Sequence, residues 1–431
     1  MKNLLTVRTV TAYLNLRSSD FPLSLDALPD SNVGSKVAHC ATFLREMERK
    51  LTEADYMVQT VRIATNPFGE WLVPYDDDDD NNKQTSSSSS SSRLQMLDIL
   101  LSQHEITFCS LGPGVTKEQV VTLCPEIVAS SDKFSCSAVV DSGDADRASW
   151  AADTILQIAQ LGTKEDAPAH LQGGLGNFRF CAAASCKPYI PFFPGAKAES
   201  KNVNIADGDQ GDIKFALGFE NGQVARQLLG ECQSVSRIRP EFGNAMAAIL
   251  HPVQEICETV ALEQGVTYLG IDSSLNPSLD NNGSIAEAME QLDELPGSFG
   301  GPGTLGAAAE ITQALQSLPG IKLTGYCGLM LPVCEDTRLA ALASENSDRE
   351  LRITDLLSIS SVCGVGVDTV PLPGDCTQEQ LTALILDVAG IAGRWNKSLS
   401  CRVFPVPGKK AGDMTEFDSP YMVNARVFSM N

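Results

Sequence analysis

Apolar residues along this chain recur with a helical period and a strand period in alternation. From 37 to 52 they share one helical face, and the segment MVQTVRIA at 57–64 has the composition of a strand. A second predicted helix, 251–265, ends at a glycine and precedes the predicted strand VTYLGI at 266–271. The two periods therefore indicate helices and strands that follow one another in sequence.

The same order returns twice towards the end of the chain. A helix at 304–318 precedes the predicted strand IKLTGY at 321–326. Thr377 begins another helix, because Gln380 completes a capping box, and that helix leads into the strand SLSCRVFPV at 398–406. Repeated helix–strand order predicts an α/β fold, with a largely parallel sheet and helices packed outside it. In such folds the loops after the strands usually carry the chemistry.

One stretch departs from this order. The segment YDDDDDNNKQTSSSSSSSR contains five consecutive acids and seven consecutive serines, which bury no apolar surface. We predict a disordered acidic and serine-rich surface insertion at 75–93 within a single domain that covers 1–431.

Composition then limits the partners. The 431 residues are 43% hydrophobic and carry a formal charge of −22, which argues against nucleic acid and anionic membranes. No run of 18 apolar residues is present, the N-terminus lacks a signal-peptide core, and the thirteen cysteines have no disulfide-like spacing. We expect a cytoplasmic protein with reduced thiols. The expected partner is a small-molecule metabolite, and self-association into a homo-oligomer stays open.

Several peptides resemble a known family. They include NFRFCAAASCKPYIPFFPG at 177–195, YLGIDSSLNPS at 268–278, GPGTLGAAAEITQAL at 301–315 and CGVGVDTVPLPGD at 363–375. Together they resemble the uncharacterised domain-of-unknown-function family 711. The resemblance implies a large, mostly parallel α/β barrel of about ten strands with an internal hairpin loop, similar to the barrel of pyruvate formate-lyase-like glycyl radical enzymes. It implies no established reaction.

Glycyl radical chemistry itself is not expected. Those enzymes carry a glycine in a short Arg-Val-x-Gly motif, whereas here Arg402 and Val403 are followed by Phe404 and Pro405. A shared fold does not require shared chemistry.

Cys363 is the first candidate for a chemical role. Gly364 and Gly366 flank it, so its backbone bends sharply and approaches a ligand closely. By the resemblance it would lie on the internal hairpin. We expect it to act as a nucleophile or acid/base, with Asp272, Asp368 or Asp413 to orient or deprotonate. The alternative is a small buried hydrophobe, as most free cysteines are.

A second group of candidates would bind the substrate. Asn177 and Arg179 lie beside the rigid PYIPFFP segment, and Arg179 would form a fork on a carboxylate or else pair with Glu220. Thr304 begins a helix whose free N–H groups would hold an anion, and Cys327 follows a predicted strand. The glycines at 301–306 lack a preceding strand, so NAD is not expected.

The segment GKKAGDMTEF adds four charges, those of Lys409, Lys410, Asp413 and Glu416. The two acids, beside Asp272, would bind Mg²⁺ or Ca²⁺, or the lysines would neutralise a substrate anion. The third interpretation is a surface turn with ion pairs of its own. The four histidines lack ligand spacing, so no zinc site is expected.

These candidates converge on one hypothesis. We expect an enzyme for a small carboxylate- or phosphate-bearing metabolite, of lyase, transferase or hydrolase class. Two alternatives stay open: a metabolite-binding regulatory protein without catalysis, and a divalent-cation enzyme that uses Asp272, Asp413 and Glu416.

Overall fold

Ten strands form one mixed sheet that runs through the molecule. The computed structural model describes residues 2–73, 83–200, 213–280, 282–343 and 350–430. The strands are β1 Thr6–Leu14, β2 Met57–Val58, β3 Val61–Thr65, β4 Cys109–Gly114, β5 Phe134–Val139, β6 Phe180–Ala184, β7 Lys214–Glu220, β8 Thr267–Asp272, β9 Gly366–Pro373 and β10 Leu399–Val406.

Helices alternate with these strands, as the sequence predicts. They are α1 Asn32–Glu53, α2 Lys83–Gln103, α3 Cys124–Ser130, α4 Ala145–Leu161, α5 Gly222–Cys232, α6 Gly243–Gln264, α7 Ile285–Met289, α8 Thr304–Leu315, α9 Thr337–Leu342, α10 Ile353–Ser360 and α11 Gln378–Trp395. The capping box forms at Thr377, and α6 ends at Gly265 in the left-handed region that glycine favours. Apolar side chains from the strands and helices share one large core.

The order of strands across the sheet is β8-β7-β1-β3-β4-β5-β6-β10-β9, with β2 beside β1. The five central strands from β1 to β6 are parallel, whereas β7 and β10 join them antiparallel. The predicted α/β class and strand number are confirmed. The sheet is mixed, however, and it does not close, so the predicted barrel is not shown.

The segment 321–332 lies between the two edge strands but is not itself a strand. Single bridges join Leu323 to Ile271, Leu329 to Leu275 and Pro332 to Asp368. The predicted strand at 321–326 is therefore wrong. The reason is local, because the N–H groups at 326 and 327 donate to a buried carboxylate on β8 instead of to a neighbouring strand.

The segment 186–198 covers one face of the central strands. Thr11 Oγ1 donates to the carbonyl of Pro191 at 2.8 Å, and Ser110 Oγ donates to the carbonyl of Ala196 at 2.7 Å. These side chains leave the sheet on the face opposite the helices, which is why the two faces pack against different partners. One end of this covered face holds the cavity described below.

The serine-rich stretch differs from its prediction. Residues 83–93 belong to α2, and the remainder of the predicted insertion, 75–82, lies outside the described residues. The helix continues into buried Leu97 and Leu101, so packing downstream stabilises a stretch whose composition alone favours disorder. Among the described residues, no helix combines the length and apolar composition that crossing a bilayer requires.

Gly366 tests how tightly the strands are packed. Its φ is +110°, and a Cβ there would lie 2.1 Å from the carbonyl oxygen of Ser400 on β10. Gly366→Ala should therefore lower the free energy of unfolding by about 2–5 kcal/mol in urea denaturation. Gly390→Ala is the matched control, because nothing lies near its Cβ in α11 and it should stabilise by about 0.5–1 kcal/mol. Equal effects of the two changes would contradict the packing.

Candidate functional site

A cavity of about 260 Å³ opens on the face covered by segment 186–198. Its wall contains four arginines and two carboxylates, so it is positive although the chain as a whole is strongly acidic. The charged residues are Arg8, Arg62, Arg179, Arg402, Glu335 and Asp368. Its volume is slightly below the roughly 300–1,000 Å³ of pockets for drug-sized ligands, and therefore suits a small metabolite.

Two of the arginines belong to a chain of alternating charges. Arg8 contacts Glu220 and Glu335, both at 2.8 Å. Arg402 contacts the other oxygen of Glu335 at 2.9 Å and holds Asp368 through two bonds of 2.5 and 2.9 Å. The ion chain, defined as Glu220–Arg8–Glu335–Arg402–Asp368, thus links β7 and β1 to β10 and β9 across the cavity.

Irregularities in the strands lie next to both arginines of the ion chain. Val7 and Thr9 on β1 pair with consecutive residues of β7, so Arg8 is the extra residue of a bulge. On β9, Thr369 is likewise an extra residue opposite Arg402 and Val403, with a φ of +45°. A bulge changes the side to which the following side chains point. These bulges therefore help to aim the charges into the cavity.

Arg62 stands outside the ion chain. It lies in β3, where every residue is buried, and only 8% of its surface is exposed. Its Nε donates to Thr60 Oγ1 at 2.8 Å, and its guanidinium lies over the rings of Phe108 and Phe193 at 4.8 and 5.3 Å. Burial lowers the pKa of Arg62, and the positive charge of Arg8 lowers it further. Its terminal nitrogens have no carboxylate partner among the described residues.

Arg179 is the second guanidinium outside the ion chain. It lies just before β6, and burial is the main cause that lowers its pKa. Glu220, the ion-pair partner considered from the sequence, contacts Arg8 instead. Within the part of the chain that the structure describes, no carboxylate or carbonyl accepts a hydrogen bond from Arg179. The cavity wall therefore holds one buried and one half-buried guanidinium that no carboxylate contacts directly among the residues the structure describes.

Tyr421 completes the wall near these charges. Its ring stacks on Phe178 with centroids 6.2 Å apart and meets Phe108 edge-on at 6.0 Å. When ionised, the Tyr421 phenol raises the pKa of both Arg62 and Arg179. Tyr421 belongs to the segment after β10. In that segment Tyr421 lines the cavity, whereas Lys409 and Lys410 do not.

Of the residues proposed from the sequence, Arg179 and Asp368 line the cavity. Cys363 does not. It is 1% exposed within the main core, and its sulfur contacts the carbonyl of Leu329 at 3.7 Å. Burial raises the pKa of the Cys363 thiol, the opposite of what a thiolate nucleophile requires. No cysteine is among the described residues that line the cavity.

Four further candidates lie in the interior but outside this wall. Asp272 is fully buried and accepts hydrogen bonds from Ser274, Tyr326 and Cys327, while burial raises its pKa. Its carboxylate fixes the backbone around Cys327. The remaining two candidates, Asn177 and Thr304, also form hydrogen bonds within the fold. Asn177 Nδ2 donates to the carbonyl of Ile155, and Thr304 Oγ1 accepts from the N–H of Gly300.

The lysine-rich turn lies apart from the cavity. Lys409 pairs with Glu416, whose side chain is 80% exposed, and the backbone N–H of Lys410 donates to Asp413. These are the ion pairs of a surface turn. Among the residues with described positions, no three His, Cys, Asp or Glu side chains converge on a site that could hold a metal ion. The structure thus does not bring Asp413 and Glu416 together with Asp272.

The sequence interpretation missed Arg8 and Arg62. Each is a single charged residue in a strand whose neighbouring residues are apolar or carry a hydroxyl: Arg8 lies in TVRTV and Arg62 in TVRIA. Arg402 lies in a similar stretch, SCRVF. A charge inside a buried strand needs a partner, so this repeated pattern was a usable signal. Tyr421 had no comparable signal, because it follows an exposed and irregular segment.

Comparison with known proteins identifies a family for which the matching descriptions name no reaction. The family model described as Uncharacterised ACR (DUF711) matches residues 1–419. A "UPF0210 protein" of Limosilactobacillus reuteri is 28% identical over 309 residues, 69% of this chain and 63% of the relative. One from Oleidesulfovibrio alaskensis is 26% identical over 318 residues, 70% and 65% of the two lengths. The match thus spans less than two thirds of these relatives' own length.

A third relative matches over a shorter stretch. The "UPF0210 protein" of Pyrobaculum islandicum, strain DSM 4184, is 31% identical over 250 residues, which cover 56% of this chain and 52% of the relative. None of the three names states a substrate or a reaction, so function has to be argued from the cavity.

Glu335 tests the ion chain. Glu335→Gln removes the charge that Arg8 and Arg402 share and leaves both guanidiniums less compensated. We expect a loss of about 3–5 kcal/mol in the free energy of unfolding, measured in urea, because breaking a buried ion pair leaves an unpaired charge. Glu416→Gln, in the exposed pair with Lys409, should change it little. A small effect at Glu335 would mean that the ion chain contributes no net stability.

Cys363 tests the thiol hypothesis. Because its thiol is buried and its pKa is raised, native protein should leave Cys363 unmodified by iodoacetamide, whereas urea-unfolded protein is modified fully. Cys186 is the internal control, because it is the one half-buried member of the thirteen free cysteines. Burial raises its pKa as well, to about 11, so it should react before the others through its exposure alone. Peptide mass spectrometry reads both sites. Rapid labelling of native Cys363 would restore the thiol mechanism.

Proposed function

This chain belongs to the uncharacterised DUF711 family, and we propose that it is an enzyme for a small carboxylate- or phosphate-bearing metabolite, which binds at Arg62 and Arg179. The proposal keeps the substrate class that the sequence suggested. It transfers the binding role from Lys409 and Lys410 to Arg62, beside Arg179.

One observation carries the proposal: a buried guanidinium, Arg62, and a half-buried one, Arg179, share one cavity wall without a carboxylate in direct contact among the described residues. Removing a charge from water is unfavourable unless a counter-charge or hydrogen bonds compensate. At Arg62 and Arg179 that compensation is only partial in the unliganded protein, because the charges of Glu335 and Asp132 act on them without direct contact. A bound anion supplies it, which gives the cavity a physical preference for anionic ligands.

The neighbouring arginines do not compete for the anion. Arg8 and Arg402 are held by direct contacts to the carboxylates of the ion chain. They contribute a positive field without offering all of their donors. The binding groups are therefore those outside the ion chain, in a fork geometry that suits carboxylate and phosphate oxygens.

Tyr421 is the proposed proton-transferring group. Its side chain is 46% exposed at the cavity, its ring contacts Phe108 and Phe178, and its ionised form raises the pKa of both guanidiniums. A phenol held beside a bound anion is in a position to give or take a proton during lyase, transferase or hydrolase chemistry. Asp368 is less suited to that role, because Arg402 holds both of its oxygens.

Anion binding is testable by thermal shift against a panel of carboxylate and phosphate metabolites. At least one should raise the melting temperature of the wild-type protein, because a ligand that binds only the folded state stabilises it. Arg62→Gln and Arg179→Gln should each weaken that ligand about 100-fold or more, as expected when a charged partner is removed. Lys409→Gln is the matched control and should bind normally.

The panel also separates an enzyme from a binding protein. Metabolites that stabilise the wild-type protein are incubated with it and followed by NMR for conversion. Tyr421→Phe should retain binding and lose conversion. Stabilisation without any conversion would indicate a binding protein rather than an enzyme. Loss of binding in Lys409→Gln alone would indicate that the ligand binds at the surface turn and not in the cavity.

A further inference from the structure

A buried hydroxyl in the cavity wall has no hydrogen-bond partner among the described residues. Ser135 lies in β5, is 4% exposed, and its Oγ neither donates to nor accepts from another group. A buried hydroxyl without a partner lowers stability, because its hydrogen bonds to water are lost on folding. Such a group in a native structure calls for an explanation, and here it borders a cavity.

The register of the sheet places this hydroxyl beside one of the unpaired arginines. Cys136 on β5 pairs with Phe180 on β6 in parallel register, so the residues that precede them, Ser135 and Arg179, are neighbours. Both line the cavity. Ser110, the register partner of Ser135 on β4, instead donates to the carbonyls of Pro194 and Ala196. Of these two neighbouring serines, Ser135 is therefore the one whose hydroxyl is available to bind a ligand.

The donors in this wall exceed what one carboxylate accepts. Arg62 offers its two terminal nitrogens, Arg179 offers its whole guanidinium, and Ser135 adds a hydroxyl. A carboxylate has two acceptor oxygens, whereas a phosphate group has three and a dicarboxylate has four. The two arginines outside the ion chain, Arg62 and Arg179, bring two positive charges to this wall without a carboxylate in direct contact among the described residues.

We propose that the metabolite bound by this cavity is a dianion, a phosphate monoester or a dicarboxylate, and that Ser135 Oγ donates a hydrogen bond to it. This inference rests on the proposed function and narrows its substrate class. Arg62 and Arg179 each contact anionic oxygens, and Ser135 contacts those nearest to Arg179. The aromatic side chains of Phe108, Phe178 and Tyr421 pack against the remainder of the ligand.

Three probes of similar shape test the charge requirement by isothermal titration calorimetry. Phenyl phosphate is a monoester, phthalate is a dicarboxylate, and benzoate carries one carboxylate. One of the first two should bind at least about tenfold more tightly than benzoate, since it satisfies more charge-assisted donors. Which of the two binds more tightly assigns the phosphate or the dicarboxylate chemistry. Equal affinities for all three would overturn the inference.

Ser135→Ala tests the hydroxyl itself. It should weaken the tighter dianion roughly 10- to 100-fold, the effect of removing one hydrogen bond to a charged ligand. The matched control is Ser137→Ala, which should bind normally. Ser137 is also buried and lies two residues further along β5, but it does not line the cavity. Without ligand, Ser135→Ala should melt at the wild-type temperature or above, whereas Ser110→Ala should melt below it because its hydroxyl is engaged.

The outcomes separate this inference from the function on which it rests. Unchanged dianion affinity in Ser135→Ala, with binding still lost in Arg62→Gln and Arg179→Gln, would overturn the role of Ser135 alone. Dianion binding that is insensitive to both arginine variants would overturn the proposed function as well. A lower melting temperature of unliganded Ser135→Ala would show a structural role for the hydroxyl and contradict the inference.

Discussion

The ion chain is the interaction on which the rest of the structure depends. The sheet does not close on itself, so strands on its two sides need a link other than a backbone ladder. Glu335, from the segment before α9, supplies it by contacting Arg8 on β1 and Arg402 on β10. Charges removed from water are tolerated only when their geometry and partners are complete. That requirement fixes the shape of the wall around the cavity.

The same requirement distinguishes the groups whose bonding is complete in the unliganded fold from those whose bonding is not. Arg8 and Arg402 have carboxylate partners, and Asp272 has a full set of hydrogen-bond donors, so each is satisfied without a ligand. Arg62 and Arg179 remain incompletely compensated. Buried groups whose bonding is incomplete in the unliganded fold are candidates for function, because the deficit is removed only when a ligand arrives.

Two sequence-based hypotheses illustrate why residue type alone misleads. Cys363 lies between flexible glycines, which suits a reactive loop, yet the turn after α10 carries it into the core. Lys409 and Lys410 look like an anion site, yet they lie on a turn whose acids neutralise them or accept their backbone bonds. In both cases the surroundings of the side chain, which the local sequence pattern does not contain, determine its exposure and its partners.

Periodicity and capping determined the helices and strands, because these depend on residues a few positions apart: Thr377 with Gln380, or Gly265 after α6. The α/β class followed from such local signals, and Arg179 and Asp368, two of the candidates from the sequence, line the cavity. Only the tertiary structure decided that Arg62, Ser135 and Tyr421 share one cavity. Their meeting depends on the order of strands across the sheet and on bulges, where neighbours in space are far apart in sequence.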